Sequence, residues 1–151
     1  MKKIKIASLI ALTLAAACYA KESSPVILLP EDATVTGKEI QLQKRQNRIV
    51  EWKYPEDTIR FKVPELEEGK YKIFIKYSAR ESGGGKILIR LNGDTIKEKF
   101  KSTGSRDATN EKKAGCFEHE GGPVTITLSI LDMNYEDASI MDLYSFTLQK
   151  N

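Results

Sequence analysis

The chain has 151 residues, with 24 Lys and Arg, 21 Asp and Glu, a single His and two Cys. That length supports one domain. Three of the basic residues, Lys2, Lys3 and Lys5, sit in the first five positions, and without them 21 basic residues face 21 acidic ones. A net charge of zero excludes any argument from overall basicity for nucleic acid or an anionic membrane as a partner.

The chain opens with that basic start, and Ile6 to Ala17 then forms an apolar run of 12 residues. Such a run is shorter than the roughly 20 residues a membrane-spanning helix needs, but it fits the apolar region of a secretory leader. Leu14-Ala15-Ala16-Ala17-Cys18 resembles a lipoprotein signal. On that reading residues 1–17 are removed and Cys18 becomes the lipidated first residue of an envelope lipoprotein, at the outer membrane or the cell surface. Cys18-Tyr19-Ala20 offers an ordinary cleavage site instead, which would give a periplasmic or secreted protein. With Cys18 spent on lipid, Cys116 has no disulfide partner, so stability must come from the core. Residues 18–25 read as a tether and 26–150 as the folded domain.

From Val26 onward the apolar period is two. Thr58–Val63 alternates Ile59, Phe61 and Val63 with polar residues, and Tyr71–Tyr77 places Tyr71, Ile73, Ile75 and Tyr77 on one face. Lys86–Leu91 and Pro123–Leu131 repeat the pattern. Each predicts a strand with one face in the core and one in water. Asn92-Gly93 is a strong hairpin signal because both residue types accept positive φ. The Ser82–Gly85 and Gly121–Pro123 stretches close other connections. No run of 12 or more residues is helical in period. The pattern predicts an all-β fold: an antiparallel β-sandwich or jelly roll of about eight to ten short strands.

Candidate chemistry is sparse, and no catalytic residue is assigned. Cys116 and His119 are three apart, so on a strand they point to opposite faces and cannot form a nucleophile–base pair. Glu118 and Glu120 would share a strand face about 6.5–7 Å apart, a spacing compatible with glycoside hydrolysis, but surface carboxylates are the commoner reason for such a pair. Asp132–Asp137 alternates oxygen ligands without being an EF-hand loop, because Asp137 stands where Gly is needed and Leu143 where the bidentate Glu belongs. Trp52 and Tyr54 are aromatics suited either to stacking on a sugar or to a core, and Tyr135 joins them as a loop aromatic.

Several ordered segments carry a family resemblance: Leu28–Ala33 with Gly37, Asn47–Trp52, Asp57–Val63, Glu68–Tyr71, Thr103-Gly104, Gly121-Gly122 and Met141–Leu143. Over Ile27–Leu148 the chain resembles the β-sandwich carbohydrate-binding modules of the family 6 and 35 type, with the galactose-binding-domain-like jelly roll. It looks most like the accessory domain of bacterial α-L-fucosidases and sulfatases. The resemblance implies a glycan partner and a structural calcium held partly by Glu31 and Asp142. The sequence also departs from the pattern. Arg106, or Ser105 in the adjacent register, stands where an aromatic often follows the Thr-Gly pair. Ile140 or Ser139 stands where an Asn commonly binds ligand, and Leu29 where a calcium-associated acid would be.

The expected function is a non-catalytic carbohydrate-binding or accessory module in the cell envelope. Its ligand-binding residues would be Trp52, Tyr54, Arg106 and Tyr135, and Arg106 would favour an acidic or sulfated glycan. The alternative is a structural or protein-interaction lipoprotein that has lost sugar binding, with an envelope protein as partner. A stand-alone glycoside hydrolase is a third reading.

Overall fold

The structure is a computed structural model that describes residues 22–151; the expected leader, Cys18 and the start of the expected tether lie outside the described residues. Eleven strands form two antiparallel sheets. The first sheet contains β1 (Val26–Leu28), β3 (Gln41–Gln43), β4 (Arg48–Val50), β6 (Gly69–Ser78), β9 (Thr109–His119) and β11 (Asp142–Lys150). Its order is β3-β4-β11-β6-β9, and β1 also pairs with β11. The second sheet runs β2-β5-β10-β7-β8, from β2 (Ala33–Thr36), β5 (Thr58–Leu66), β10 (Gly122–Met133), β7 (Gly85–Leu91) and β8 (Asp94–Phe100). A 3-10 turn at Pro30–Asp32 carries the chain from one sheet to the other. The sandwich expected from the sequence is present.

The period-two runs place their apolar residues between the sheets. Ile59, Phe61, Ile73, Ile75, Ile87, Ile89, Ile126 and Leu128 are all fully buried. Aromatic pairs span the gap: Phe61 meets Phe146 at 6.0 Å between ring centroids, and Tyr77 meets Phe100 edge-on at 4.9 Å. Such rings bury a large apolar area and add a geometric preference to it.

Several strands depart from a simple alternation, β9 and β11 among them, and the register also shifts where β5 and β7 meet β10. In β11 the register shifts between Leu143 and Ser145, so Leu143 and Phe146 both face the core three residues apart. In β9 the shift lies opposite Ile73 and Phe74, and buried Ala114 and Phe117 are again three apart. These are bulges, in which one extra residue reverses the side-chain phase.

Gly83, Gly84 and Gly85 are buried where β7 begins. Gly85 has φ +149°, and a Cβ added there would lie 2.2 Å from the Asp132 carbonyl oxygen, a backbone atom that cannot swing aside. Only glycine allows β7 and the end of β10 to approach this closely. Gly85→Ala is expected to lower stability by roughly 2–4 kcal/mol, through strain at a special backbone position. Gly93→Ala, at a tip where nothing lies within 4 Å, is expected to stay within about 1 kcal/mol of wild type. Chemical denaturation of both variants checks the contrast.

Candidate functional site

The site begins with a buried carboxylate. Asp142 opens β11 with its side chain only 4% exposed, facing away from the inter-sheet core because Leu143, the next residue, faces into it. Two guanidinium groups satisfy it. Arg106 Nε donates to Oδ2 at 2.9 Å and Nη2 to Oδ1 at 3.4 Å, while Arg48 Nη1 lies 3.3 Å from Oδ2. The bond to Asp142 holds the Arg106 pKa above its usual value. Arg48 also donates to Gln43 Oε1 (2.9 Å) and to the Tyr144 hydroxyl (3.2 Å), which itself donates to the Arg106 carbonyl. The cluster therefore ties β3, β4 and β11 to the loop before β9.

A second chain of charges leads outward. Arg106 Nη2 stands 3.7 Å from Glu51, Lys53 bridges Glu51 and Glu39 at 2.9 Å each, and the Tyr54 hydroxyl donates to Glu39 at 2.8 Å. Hydrogen bonding to Lys53 holds the carboxyls of Glu51 and Glu39 below the usual carboxylate range. The loop carrying these residues is organised by Asp57, fully buried, which accepts from the backbone N–H groups of Tyr54 (3.0 Å), Lys53 (3.3 Å) and Lys38 (3.4 Å). Gly37 makes room for it, since a Cβ there would sit 2.1 Å from Asp57 Oδ1.

Above Asp142 these groups frame an open cleft of about 350 Å³. Its lining combines the ion-paired Glu51, Lys53 and Arg106 with the Tyr135–Ser139 loop and with Arg80 and Ser82. Tyr135 stands at the rim with 61% of its surface exposed. Asn134 fixes the loop base, its side-chain amide donating to the Gly83 carbonyl and its backbone N–H to that of Gly84. Two lining residues that are not glycine take positive φ, Glu51 (56°) and Asp137 (64°), the kind of backbone strain that gathers at functional loops. Among the described residues two buried side-chain polar atoms lack a hydrogen-bond partner, Trp52 Nε1 in the core and Ser78 Oγ. Ser78 is fully buried and lines the cleft.

The structure separates the residues singled out from the sequence. Arg106 and Tyr135 line one cleft. Trp52 does not join them: its ring is fully buried in the core, so it packs and cannot stack on a ligand. Tyr54 is half-buried beside Glu39 and outside the cleft lining. Arg106 pairs with Asp142 and Glu51, not with its sequence neighbours. Of the alternatives in the last loop, Ser139 lines the cleft and Ile140 is buried. Glu136 and Asp137 also line it, but among the described residues no group of three or more His, Cys, Asp or Glu side chains is placed to hold a metal.

The residues present do not fit the calcium that the resemblance implies. Arg48 and Arg106 already supply positive charge to Asp142, and an added cation there would face two guanidiniums. Glu31 is exposed on the 3-10 turn and makes no ion pair among the described residues. Far from the cleft, at the other end of β9, Cys116 is exposed while buried His119 bonds the Gly122 carbonyl at 3.0 Å. Glu118 pairs with Lys70 across the same end. Ser78, Arg80 and Lys53 were missed as site residues, because only the meeting of four loops brings them together.

With this geometry in hand, known structures give a consistent fold. A family 35 carbohydrate-binding module from Clostridium thermocellum superposes with TM-score 0.65 at 17% identity, covering 85% of this chain and 100% of that one. One from Paenibacillus barcinonensis gives 0.64 at 18%, covering 83% and 99%. A Podospora anserina GH26-CBM35 β-(1,4)-mannanase gives 0.63 at 22%, covering 84% of this chain but 28% of the enzyme. The fold is that of these β-sandwich modules. No family model and no curated protein matches the sequence.

Two outcomes follow for the Asp142 cluster. Asp142→Asn leaves two partly buried guanidiniums without their counter-ion and is expected to cost roughly 3 kcal/mol, the lower end for breaking a buried pair. Adding calcium or a chelator is expected to leave the thermal midpoint unchanged, as differential scanning fluorimetry of wild type would show.

Proposed function

We propose that the chain is a non-catalytic carbohydrate-binding module that takes a sugar in the Tyr135 cleft. The observation that carries this reading is an exposed aromatic ring, Tyr135, lining the same cleft as Ser78, whose buried hydroxyl lacks a partner. An aromatic face suits the apolar face of a sugar ring, and an unsatisfied hydroxyl in the lining gains a hydrogen bond when a ligand hydroxyl reaches it. Carboxylates and cations around the rim offer the acceptors and donors that hydroxyl-rich ligands need. The fold shared with carbohydrate-binding modules supports the same class, although fold alone assigns no function.

The charge of the cleft favours a neutral sugar over an acidic one at this place. Four acids line it, Glu51, Glu136, Asp137 and Asp142, against Lys53, Arg80 and Arg106. Arg106 is committed to Asp142, and Lys53 to Glu39 and Glu51. Arg80 is the one cation of the cleft without an ion pair among the described residues.

Titration calorimetry against neutral oligosaccharides selected on a glycan array tests the site. Tyr135→Ala is expected to weaken binding about tenfold or more, the loss of a stacking contact, with its thermal midpoint unchanged. A blank array would instead favour an envelope protein as partner.

Display from the envelope by lipid on Cys18 belongs to the same proposal. It rests on the leader and on the polar residues between Cys18 and β1. Cys18→Ala is expected to shift the protein out of the membrane fraction, or to leave it unprocessed. Mass spectrometry of an unacylated mature chain beginning at Lys21 would overturn the lipid anchor.

A further inference from the structure

The outer face of the second sheet carries most of its charge with one sign. The alternation that sends Ile59, Phe61, Ile87 and Ile89 inward sends Arg60, Lys62, Lys86 and Arg90 outward, and Lys97 and Lys99 of β8 join them. All six are exposed. None makes an ion pair among the described residues. The acids on this face are Asp132, in register with Lys86, and Glu65 toward the far end of β5. A domain whose charges balance in sequence thus presents one broad basic surface.

The cations are spaced by the sheet. Register sets Thr34, Arg60, Thr127, Arg90 and Thr95 in one row across all five strands. Strands lie about 4.8 Å apart, so Arg60 and Arg90 stand about 10 Å apart with a threonine between them. The next row on this face places Thr36, Thr58, Ser129, Leu88 and Lys97 side by side. In the first row hydroxyls alternate with positive charges, and in the second three hydroxyls lie side by side with Leu88 and Lys97 beyond them.

We infer that this face binds an anionic polysaccharide, a chain carrying sulfate or carboxylate groups at regular intervals, at a site separate from the Tyr135 cleft. Guanidinium and ammonium groups pair with the anions, and the Thr and Ser hydroxyls donate to and accept from the sugar hydroxyls. Among the described residues no aromatic stands on the face for stacking a base, as single-stranded nucleic acid would need. An anionic bilayer would be attracted by charge alone, and neither the hydroxyl rows nor the fixed pitch would serve it. The outer face of the first sheet provides a contrast. There Lys70 is paired with Glu118 and Lys76 lies in register with Glu111, so two acids face four lysines, Lys72 and Lys113 being the other two.

The test uses the full chain and four probes: dextran sulfate, polygalacturonate, neutral dextran and phosphatidylglycerol vesicles. Wild type is expected to bind the two anionic chains and not neutral dextran, with affinity falling as salt rises. Replacing Arg60, Lys62, Arg90 and Lys97 together by Gln is expected to weaken binding at least about tenfold. Removing the same charge from the other sheet, with Lys70, Lys72, Lys76 and Lys113 all changed to Gln, is expected to have less than about a threefold effect. Circular dichroism confirms that both variants fold. Equal loss in the two variants would reduce the effect to net charge and overturn the site. Binding to the vesicles without binding to dextran sulfate would replace the polysaccharide with a membrane. Tyr135→Ala should bind dextran sulfate like wild type, so failure of the cleft and failure of this face are read separately.

Discussion

Asp142 is the charge on which the functional end of the molecule depends. Its carboxylate is buried at the start of β11, and a buried carboxylate must be paired or pay heavily in lost hydration. Arg106 is drawn in from the loop before β9 and Arg48 from β4. Because each guanidinium has donors to spare, Arg106 reaches on toward Glu51 and Arg48 reaches Gln43 and Tyr144. A single carboxylate thus fixes where three segments lie relative to one another, in the manner of a metal ion but with covalently attached cations.

That arrangement also explains the character of the cleft. Charged groups that look free in the sequence are largely used up within the protein. Lys53 is shared by two carboxylates, and the pairing holds Glu39 and Glu51 in their charged forms over a wider range of pH. Both carboxyls are lowered in the folded state, so their support for the loop is present above the ordinary carboxylate range and fades as acid protonates them. Their exposure keeps that support small. What remains available to a ligand is the Tyr135 ring, Arg80, Ser82 and the carboxylates of Glu136 and Asp137, with the buried Ser78 hydroxyl also in the lining.

The basic face of the second sheet follows from a different constraint. An antiparallel sandwich must bury one residue in two, and the remaining residues of every strand share a single surface. In β5 and β7 those outward residues include Arg60, Lys62, Lys86 and Arg90; in β10 they include Thr125, Thr127 and Ser129, with Asp132 near its end. Strand order then interleaves the hydroxyl strand between the two cationic ones. Acidic residues are concentrated in loops and at the cleft instead, so a neutral total hides two regions of opposite character.

The period-two runs at Thr58–Val63, Tyr71–Tyr77, Lys86–Leu91 and Pro123–Leu131, with the Asn92-Gly93 turn, were enough to specify the fold class and most of the core. Alternation is a local property, and the pleat converts it directly into burial. The strands β9 and β11 were less legible, because a bulge in each reverses the phase and breaks the pattern a reader looks for. Trp52 illustrates a harder limit. An aromatic serves a core or a ligand equally well, and only the closing of both sheets over it decided for the core. Arg106 was visible as a departure from a family pattern, but its partner Asp142 is 36 residues away, and nothing local could join them. Strand alternation is written into neighbouring residues, whereas ion pairs across loops and the pooling of charge on one face arise only once strand order and register bring distant segments together.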